Sequence, residues 1–126
     1  MQQEAIYDDV CLEVVDFFIQ KTEQCRQAGI NDIILDPGFG FAKTAEHNFK
    51  LLKQLEVFRI FNRPLLVGLS RKSTIYKSLG ITAAEALNGT TVVNTLALEK
   101  GANILRVHDV KEAMEAIQLW ELYDKA

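Results

Sequence analysis

Pro64-Leu65-Leu66-Val67-Gly68-Leu69-Ser70-Arg71-Lys72-Ser73 decides how the rest of this chain is read. Pro64 bars a helix from running into the segment, because it lacks a backbone donor and its ring crowds the preceding turn. Leu65 to Leu69 carry no polar side chain, so both faces of the segment call for cover. That is the pattern of a parallel strand sheltered by helices. The stretch then turns polar at Ser70, as a strand does on leaving a sheet. Two other segments repeat the design. Ile33-Ile34-Leu35 runs into Asp36-Pro37-Gly38, a strand closed by a turn. Ile104 to Val107 runs into His108-Asp109.

Amphipathic helices are expected around these strands. Ile6, Val10, Val14, Phe17 and Phe18 recur at spacings of three and four and predict a helix over 6–28, stopped at Gly29. Leu51, Leu52, Leu55 and Phe58 stripe a second helix, and a short one is expected over Thr74 to Leu79. Thr82 and Glu85 form a capping-box pair ahead of a helix that ends at Lys100-Gly101. Asp109 with Glu112 resembles another N-cap pair, and Val110, Ala113, Met114, Ile117 and Trp120 stripe the last helix. The order is α-β-α-β-α-β-α.

Asp36 and Ser70 are 34 residues apart, and Ser70 and His108 are 38 apart. A (β/α)₈ barrel uses roughly 31 residues per unit. The expected fold class is therefore α/β, parallel strands with helices, forming a three-strand portion of a (β/α)₈ TIM barrel. A flavodoxin-like fold needs five strands, and a three-strand open sheet is the other simple alternative.

Composition narrows the function. The 126 residues are 48% hydrophobic and 25% charged, with a net charge of −3. This is ordinary globular composition, and the acidic balance argues against nucleic acid as a partner. No apolar run approaches the ~18 residues of a membrane span, and Met1-Gln2-Gln3-Glu4 lacks the basic, then apolar, opening of a signal peptide. Cys11 and Cys25, on one helix at ~1.5 Å per residue, would stand ~21 Å apart and cannot pair. A reducing cytoplasm suits two free thiols.

Chemistry gathers at the strand ends. In parallel α/β architecture the loops after the strands line the ligand site, and here they bring Asp36, Ser70 to Ser73, Arg106 and His108. Each has an alternative role. Asp36 is either a ligand carboxylate or an Asx-turn residue. Gly38-Phe39-Gly40-Phe41-Ala42-Lys43 allows close backbone approach and offers flat rings, or is a plain mobile loop. Ser70-Arg71-Lys72-Ser73 supplies two cations and helix N-terminal amides to an anion, or is a solvated turn. Alternation puts Ile104, Arg106 and His108 on one face of their strand. An Arg among apolar strand residues calls for a partner or a ligand. With only His47 and His108, and no cysteine cluster, zinc is not supported, and no residue here is assigned to a metal.

Ile34-Leu35-Asp36-Pro37-Gly38-Phe39-Gly40-Phe41 with Lys43, Gly68 to Ser73, and Leu105-Arg106-Val107-His108-Asp109-Val110 resemble dihydropteroate synthase in order and spacing. The resemblance implies a (β/α)₈ barrel of folate biosynthesis. Its reaction joins 6-hydroxymethyl-7,8-dihydropterin diphosphate to p-aminobenzoate, giving 7,8-dihydropteroate and diphosphate with magnesium assisting. Asp36 and Lys72 would hydrogen-bond the pterin. Arg106 would lie against it and meet the diphosphate with His108. Phe41 and Lys72 would flank p-aminobenzoate, whose carboxylate Ser73 would bind. The resemblance thus makes Lys72, Arg106 and His108 the catalytic set.

Met1-Gln2 resembles the end of the family's Met-x-Gly-x-Pro-x-x-Met-Gln segment. Residues 1–126 are therefore expected to be the C-terminal portion of the barrel domain, with the N-terminal half, and with it the main magnesium-binding region, missing. Ala42 and Thr74 stand where the family often has Gly and Phe. Two other readings are kept: the pterin-binding domain of a corrinoid methyltransferase, and an inert fragment that self-associates as a homodimer or larger assembly.

Overall fold

A computed structural model describes residues 9–40 and 43–126. Among them, helix α1 spans Val10–Gln27, α2 Ala45–Lys53, α3 Ser73–Leu79, α4 Leu87–Glu99 and α5 Val110–Lys125. Strands β1 (Leu66–Val67) and β2 (Ile104–Leu105) pair in parallel, with Leu66 opposite Ile104 and Val67 opposite Leu105. Leu35 forms a parallel bridge to Leu65, with Leu35 donating to Pro64 O at 2.9 Å and Leu66 donating to Leu35 O at 2.7 Å. The three expected strand segments are therefore parallel neighbours in chain order, though their ladders are short. The class is α/β, helix-rich, with parallel strands.

Alternation along the middle segment places the core. Leu65, Val67 and Leu69 point into it and are buried, while Leu66 faces the other way and is half-buried. Leu51, Leu52, Leu55 and Phe58 join them. These four do not share one α-helix, as their spacing predicted. The chain tightens after Lys53 into a 3₁₀ helix over Leu55–Phe61, which turns the same apolar stripe toward Phe18. Phe18 meets Phe58 and Phe61 edge-on, with ring centroids 5.3 and 5.7 Å away.

Helix α1 begins at Asp9, whose side chain accepts from Leu12 N at 3.0 Å, and ends before Gly29, which takes the left-handed φ of 79° that glycine tolerates. The start expected at Ile6 lies outside the described residues. Val10, Cys11, Val14 and Phe18 form its buried face, whereas Phe17 is half exposed and carries Lys21 over its ring. Cys11 and Cys25 are both free, and burial, aided by Asp9, pushes the Cys11 thiol up.

Two capping expectations change. Thr82 and Glu85 do form a capping box, but it closes a 3₁₀ turn over Ala83–Glu85 that precedes α4. Asp109 makes no side-chain cap on α5, because Arg71 takes its carboxylate. On α5, Ala113 and Ala116 are buried and Ile117 and Trp120 half-buried, while Val110 and Met114 face out. Small alanines let α5 lie close to α4, so the contact face sits slightly around from the expected stripe. Among the described residues no helix is long and apolar enough to cross a membrane.

Candidate functional site

The strand register extends past the strands into the side chains of the loops. Leu66 stands opposite Ile104, an offset of 38 residues. The same offset relates Ser70 to His108 and Arg71 to Asp109. Two residues along from Leu66, the backbone of Gly68 lies against the Arg106 guanidinium, and a Cβ at Gly68 would sit only 2.8 Å from Arg106 Cζ. Glycine is what lets the guanidinium lie flat over the strand. One face of this edge therefore carries Arg106 and His108 in sequence, as alternation predicted.

Ser70 is buried, and its Oγ lies 2.7 Å from His108 Nδ1 and accepts the His108 backbone N–H at 3.1 Å. Arg71 crosses to the loop after β2. Its Nε and Nη2 donate to the two Asp109 oxygens at 2.9 and 3.0 Å, and its Nη1 donates to Ala83 O and Ala84 O, both at 2.8 Å. The Arg71 backbone holds a left-handed φ of 53°, uncommon for a residue with a side chain. Its N–H donates to Thr90 Oγ1 at 3.0 Å, so both ends of the residue are fixed. Asp109 is held below the usual carboxylate range by its hydrogen bonds from Arg71. Arg71 therefore braces two loops and is not one of two cations offered to an anion; Lys72 alone of that pair stays at the site.

Asp36 is an Asx-turn residue that also pairs with Arg106. Its Oδ1 accepts Gly38 N–H at 2.9 Å in an Asx turn, while Oδ2 pairs with Arg106 Nη1 at 3.2 Å. That pair is half exposed and so weakly held. Lys72 Nζ donates to Phe39 O at 2.7 Å, and Lys43 Nζ to Gly38 O at 2.9 Å. Two ammonium groups thus converge on one loop. Burial pushes Lys72 down, Arg106 adds to the effect and Asp36 opposes it. Lys43 is pushed down by burial against Asp36, with Lys72 adding to the fall. A cavity of about 390 Å³ beside Asp36 and Lys43 is also lined by Val14, Phe17 and Pro37.

Asp36, Lys72 and Arg106 thus come together, with His108 on the face that carries Arg106. Ser73 opens α3 and is exposed, making its placement at a helix start correct. Phe41 lies outside the described residues. Ser70 was placed at the strand end but its link to His108 was not foreseen, and Asn48 was not singled out at all: buried on α2, it accepts Gly40 N–H at 3.0 Å and donates to Thr74 Oγ1 at 2.7 Å. Thr74, where an aromatic was expected, therefore anchors the glycine loop through a buried polar pair. The 38-residue spacing was the available signal for Ser70. Nothing in the sequence signalled Asn48.

The model of the pterin binding enzyme family matches residues 1–108. The dihydropteroate synthase of Escherichia coli strain K12 is 48% identical over 123 residues, covering 96% of this chain and 44% of that relative. This chain thus spans about half the length of the curated relatives it matches. A Yersinia pestis dihydropteroate synthase solved with a sulfonamide drug superimposes with a TM-score of 0.93 at 41% identity, covering 96% of this chain and 45% of that one. A Xanthomonas albilineans dihydropteroate synthase in complex with 7,8-dihydropteroate gives a TM-score of 0.94 at 33% identity, covering 100% of this chain and 49% of that one.

Proposed function

Because this chain belongs to the pterin binding enzyme family, we propose that it forms the C-terminal portion of a dihydropteroate synthase. Its three parallel segments would be consecutive strands of a (β/α)₈ barrel. The observation that carries this reading is the convergence of Asp36, Lys72 and Arg106 at one strand edge. The relatives named above are synthases, and one is complexed with 7,8-dihydropteroate. That favours the synthase over a corrinoid methyltransferase.

In the proposed reaction the bond from the pterin methylene carbon to the diphosphate oxygen breaks, and its electron pair leaves with diphosphate. The p-aminobenzoate nitrogen then attacks the methylene carbon and gives up a proton. Asp36 and Lys72 would hold the pterin, which presents a donor edge and a carbonyl. Arg106 and His108 would meet the leaving diphosphate, where cationic donors lower the barrier by stabilising developing charge. Ser73 and Phe41 would complete the p-aminobenzoate side. Binding would have to separate the weak Asp36–Arg106 pair, freeing the carboxylate for the pterin and the guanidinium for diphosphate.

Magnesium is part of the reaction that the family resemblance implies. Magnesium takes one or two carboxylates together with waters and substrate phosphates, and of the carboxylates at this edge Asp109 is held on both oxygens by Arg71. The Asp36 carboxylate is already divided between Gly38 and Arg106. These residues do not fit the ion, and no step is routed through it.

We also propose that the isolated chain self-associates, since Ile34, Val92, Leu96, Leu119 and Leu122 are each about half exposed or more. Burying such surface gains ~25 cal/mol per Å². Light scattering that returned a monomer at micromolar concentration would refute this. The catalytic reading is tested by assaying dihydropteroate formation in a protein of the relatives' full length that carries these 126 residues. Product that depends on Arg106 is expected, and no product, or product indifferent to Arg106→Ala, would sink it.

A further inference from the structure

We propose that Ser70 is a positioning residue that holds His108 in the tautomer protonated on Nε2, leaving that N–H as the donor offered to an anion beside Arg106. The proposal rests on reading this edge as a diphosphate site.

Hydrogen-bond accounting carries the argument. Ser70 Oγ accepts the backbone N–H of His108 at 3.1 Å and lies 2.7 Å from Nδ1 of the same residue. A hydroxyl has one proton and two lone pairs. Were Nδ1 protonated, it would donate to Oγ and fill the second lone pair. The hydroxyl proton would then need another acceptor, yet among the described residues the hydrogen bonds of Ser70 Oγ run to His108 alone. Ser70 is 6% exposed, so water does not readily take that proton. A buried unpaired donor is costly. With the hydroxyl donating to Nδ1, every group in the chain from backbone N–H through Oγ to the ring is satisfied. Nδ1 is then an acceptor, and the neutral ring carries its proton on Nε2.

The frame behind this contact is rigid. Ser70 faces His108 at the offset that β1 and β2 already impose, and the next rung is the Arg71–Asp109 pair. Ser70 therefore acts through His108 and is not itself a donor to the anion, because it is buried and its one proton is given to Nδ1. An arginine fork beside one imidazole N–H makes a donor set suited to phosphate oxygens.

Ring nitrogen shifts of His108, read by long-range proton–nitrogen correlation at about pH 8, where an ordinary imidazole is neutral, test the tautomer directly. The wild-type chain is expected to show Nε2 protonated and Nδ1 bare. Ser70→Ala should move the two ring shifts toward each other as the second tautomer appears, and Ser70→Thr, which keeps the hydroxyl, should restore them. Inorganic diphosphate titrated into both should bind Ser70→Ala about fivefold more weakly, the size of one ordinary hydrogen bond. A wild-type ring protonated on Nδ1, or ring shifts unmoved by Ser70→Ala, overturns the proposal. If Ser70→Thr does not fold, the wild-type and Ser70→Ala spectra still decide. Diphosphate that leaves the wild-type His108 signals unchanged would instead remove the diphosphate reading, since the tautomer is read in the free protein.

Discussion

Where the strands stop, charge is held between distant parts of the chain: Arg71 on Asp109, Asp36 on Arg106, Lys72 on the Phe39 carbonyl. Where they begin, a groove of about 960 Å³ runs between Arg63, Pro64, Leu98 and Trp120. Its charges are held loosely at the surface. Glu56 is shared by Arg59, three residues away, and by Lys100, at 3.8 and 3.6 Å. The cavity beside Asp36 has less than half that volume. Concavity therefore does not single out the candidate site in this molecule. What distinguishes the strand-end edge is polar groups drawn from separate elements onto one spot, some of them shifted by burial.

Lys72→Ala in a protein of the relatives' full length should have the largest effect and tests that contrast most directly. Lys43 also reaches the glycine loop, where its Nζ donates to Gly38 O. Only Lys72, however, is influenced by both Asp36 and Arg106. A charge-assisted hydrogen bond contributes ~1.5–3 kcal/mol, so Lys72→Ala should lower kcat/KM for the pterin substrate at least about tenfold. Lys43→Ala should lower it by much less. Equal losses in the two variants would erase the distinction between a ligand-facing lysine and a loop-anchoring one.

Gly68→Ala comes next and separates packing from function at a single atom. The added methyl would lie 2.8 Å from Arg106 Cζ and 3.0 Å from Nε. Arg106 is half exposed, so the guanidinium can swing away at little cost in stability. It would then leave Asp36 and the anion position. Diphosphate affinity is expected to fall about fivefold, the size of one ordinary hydrogen bond, with the thermal midpoint nearly unchanged. A large fall in the midpoint would show that Arg106 is pinned in place as part of the fold.

Much of the strand-end edge was legible because strand physics is simple. Alternation put Arg106 and His108 on one face before any coordinates, and Pro64 and Pro37 marked where segments start and stop. What stayed hidden depended on partners far away in sequence. Asp109 followed by Glu112 has the local pattern of a helix cap, and only the approach of Arg71 across the fold takes its carboxylate away. Phe17 sits on an apolar stripe, yet Phe18 alone of the two meets the rings of Phe58 and Phe61. Asn48 and Thr74 are ordinary polar residues until helices α2 and α3 bring them together inside the core.

Acid should discriminate the two ends of the strands more gently. Asp109 is held below the usual carboxylate range by Arg71. Its folded form binds a proton less readily than its unfolded form, so its contribution to stability is fully present above about pH 4, the ordinary range for Asp. That contribution is lost as pH falls through the depressed folded value. Asp109→Asn should remove this part of the acid limb of a denaturation curve and lower stability at neutral pH. Glu56→Gln, at the other end, should leave the acid limb in place. An acid limb that survives Asp109→Asn would mean that the Arg71 brace is dispensable.

Trp120→Phe should have the smallest effect. The indole Nε1 donates to Glu99 Oε2 at 2.9 Å across the groove, an exposed contact between the ends of α4 and α5. Exposed hydrogen bonds are exchanged for water at little net cost. A phenyl ring keeps most of the apolar contact with α4. Stability is therefore expected to change by no more than about 0.5–1 kcal/mol, with diphosphate affinity and the His108 ring signals unmoved. The strands that join the two ends make this outcome informative. If Trp120→Phe shifted the His108 signals, the groove would be coupled to the site through β2, and the two ends of the sheet would act as one device.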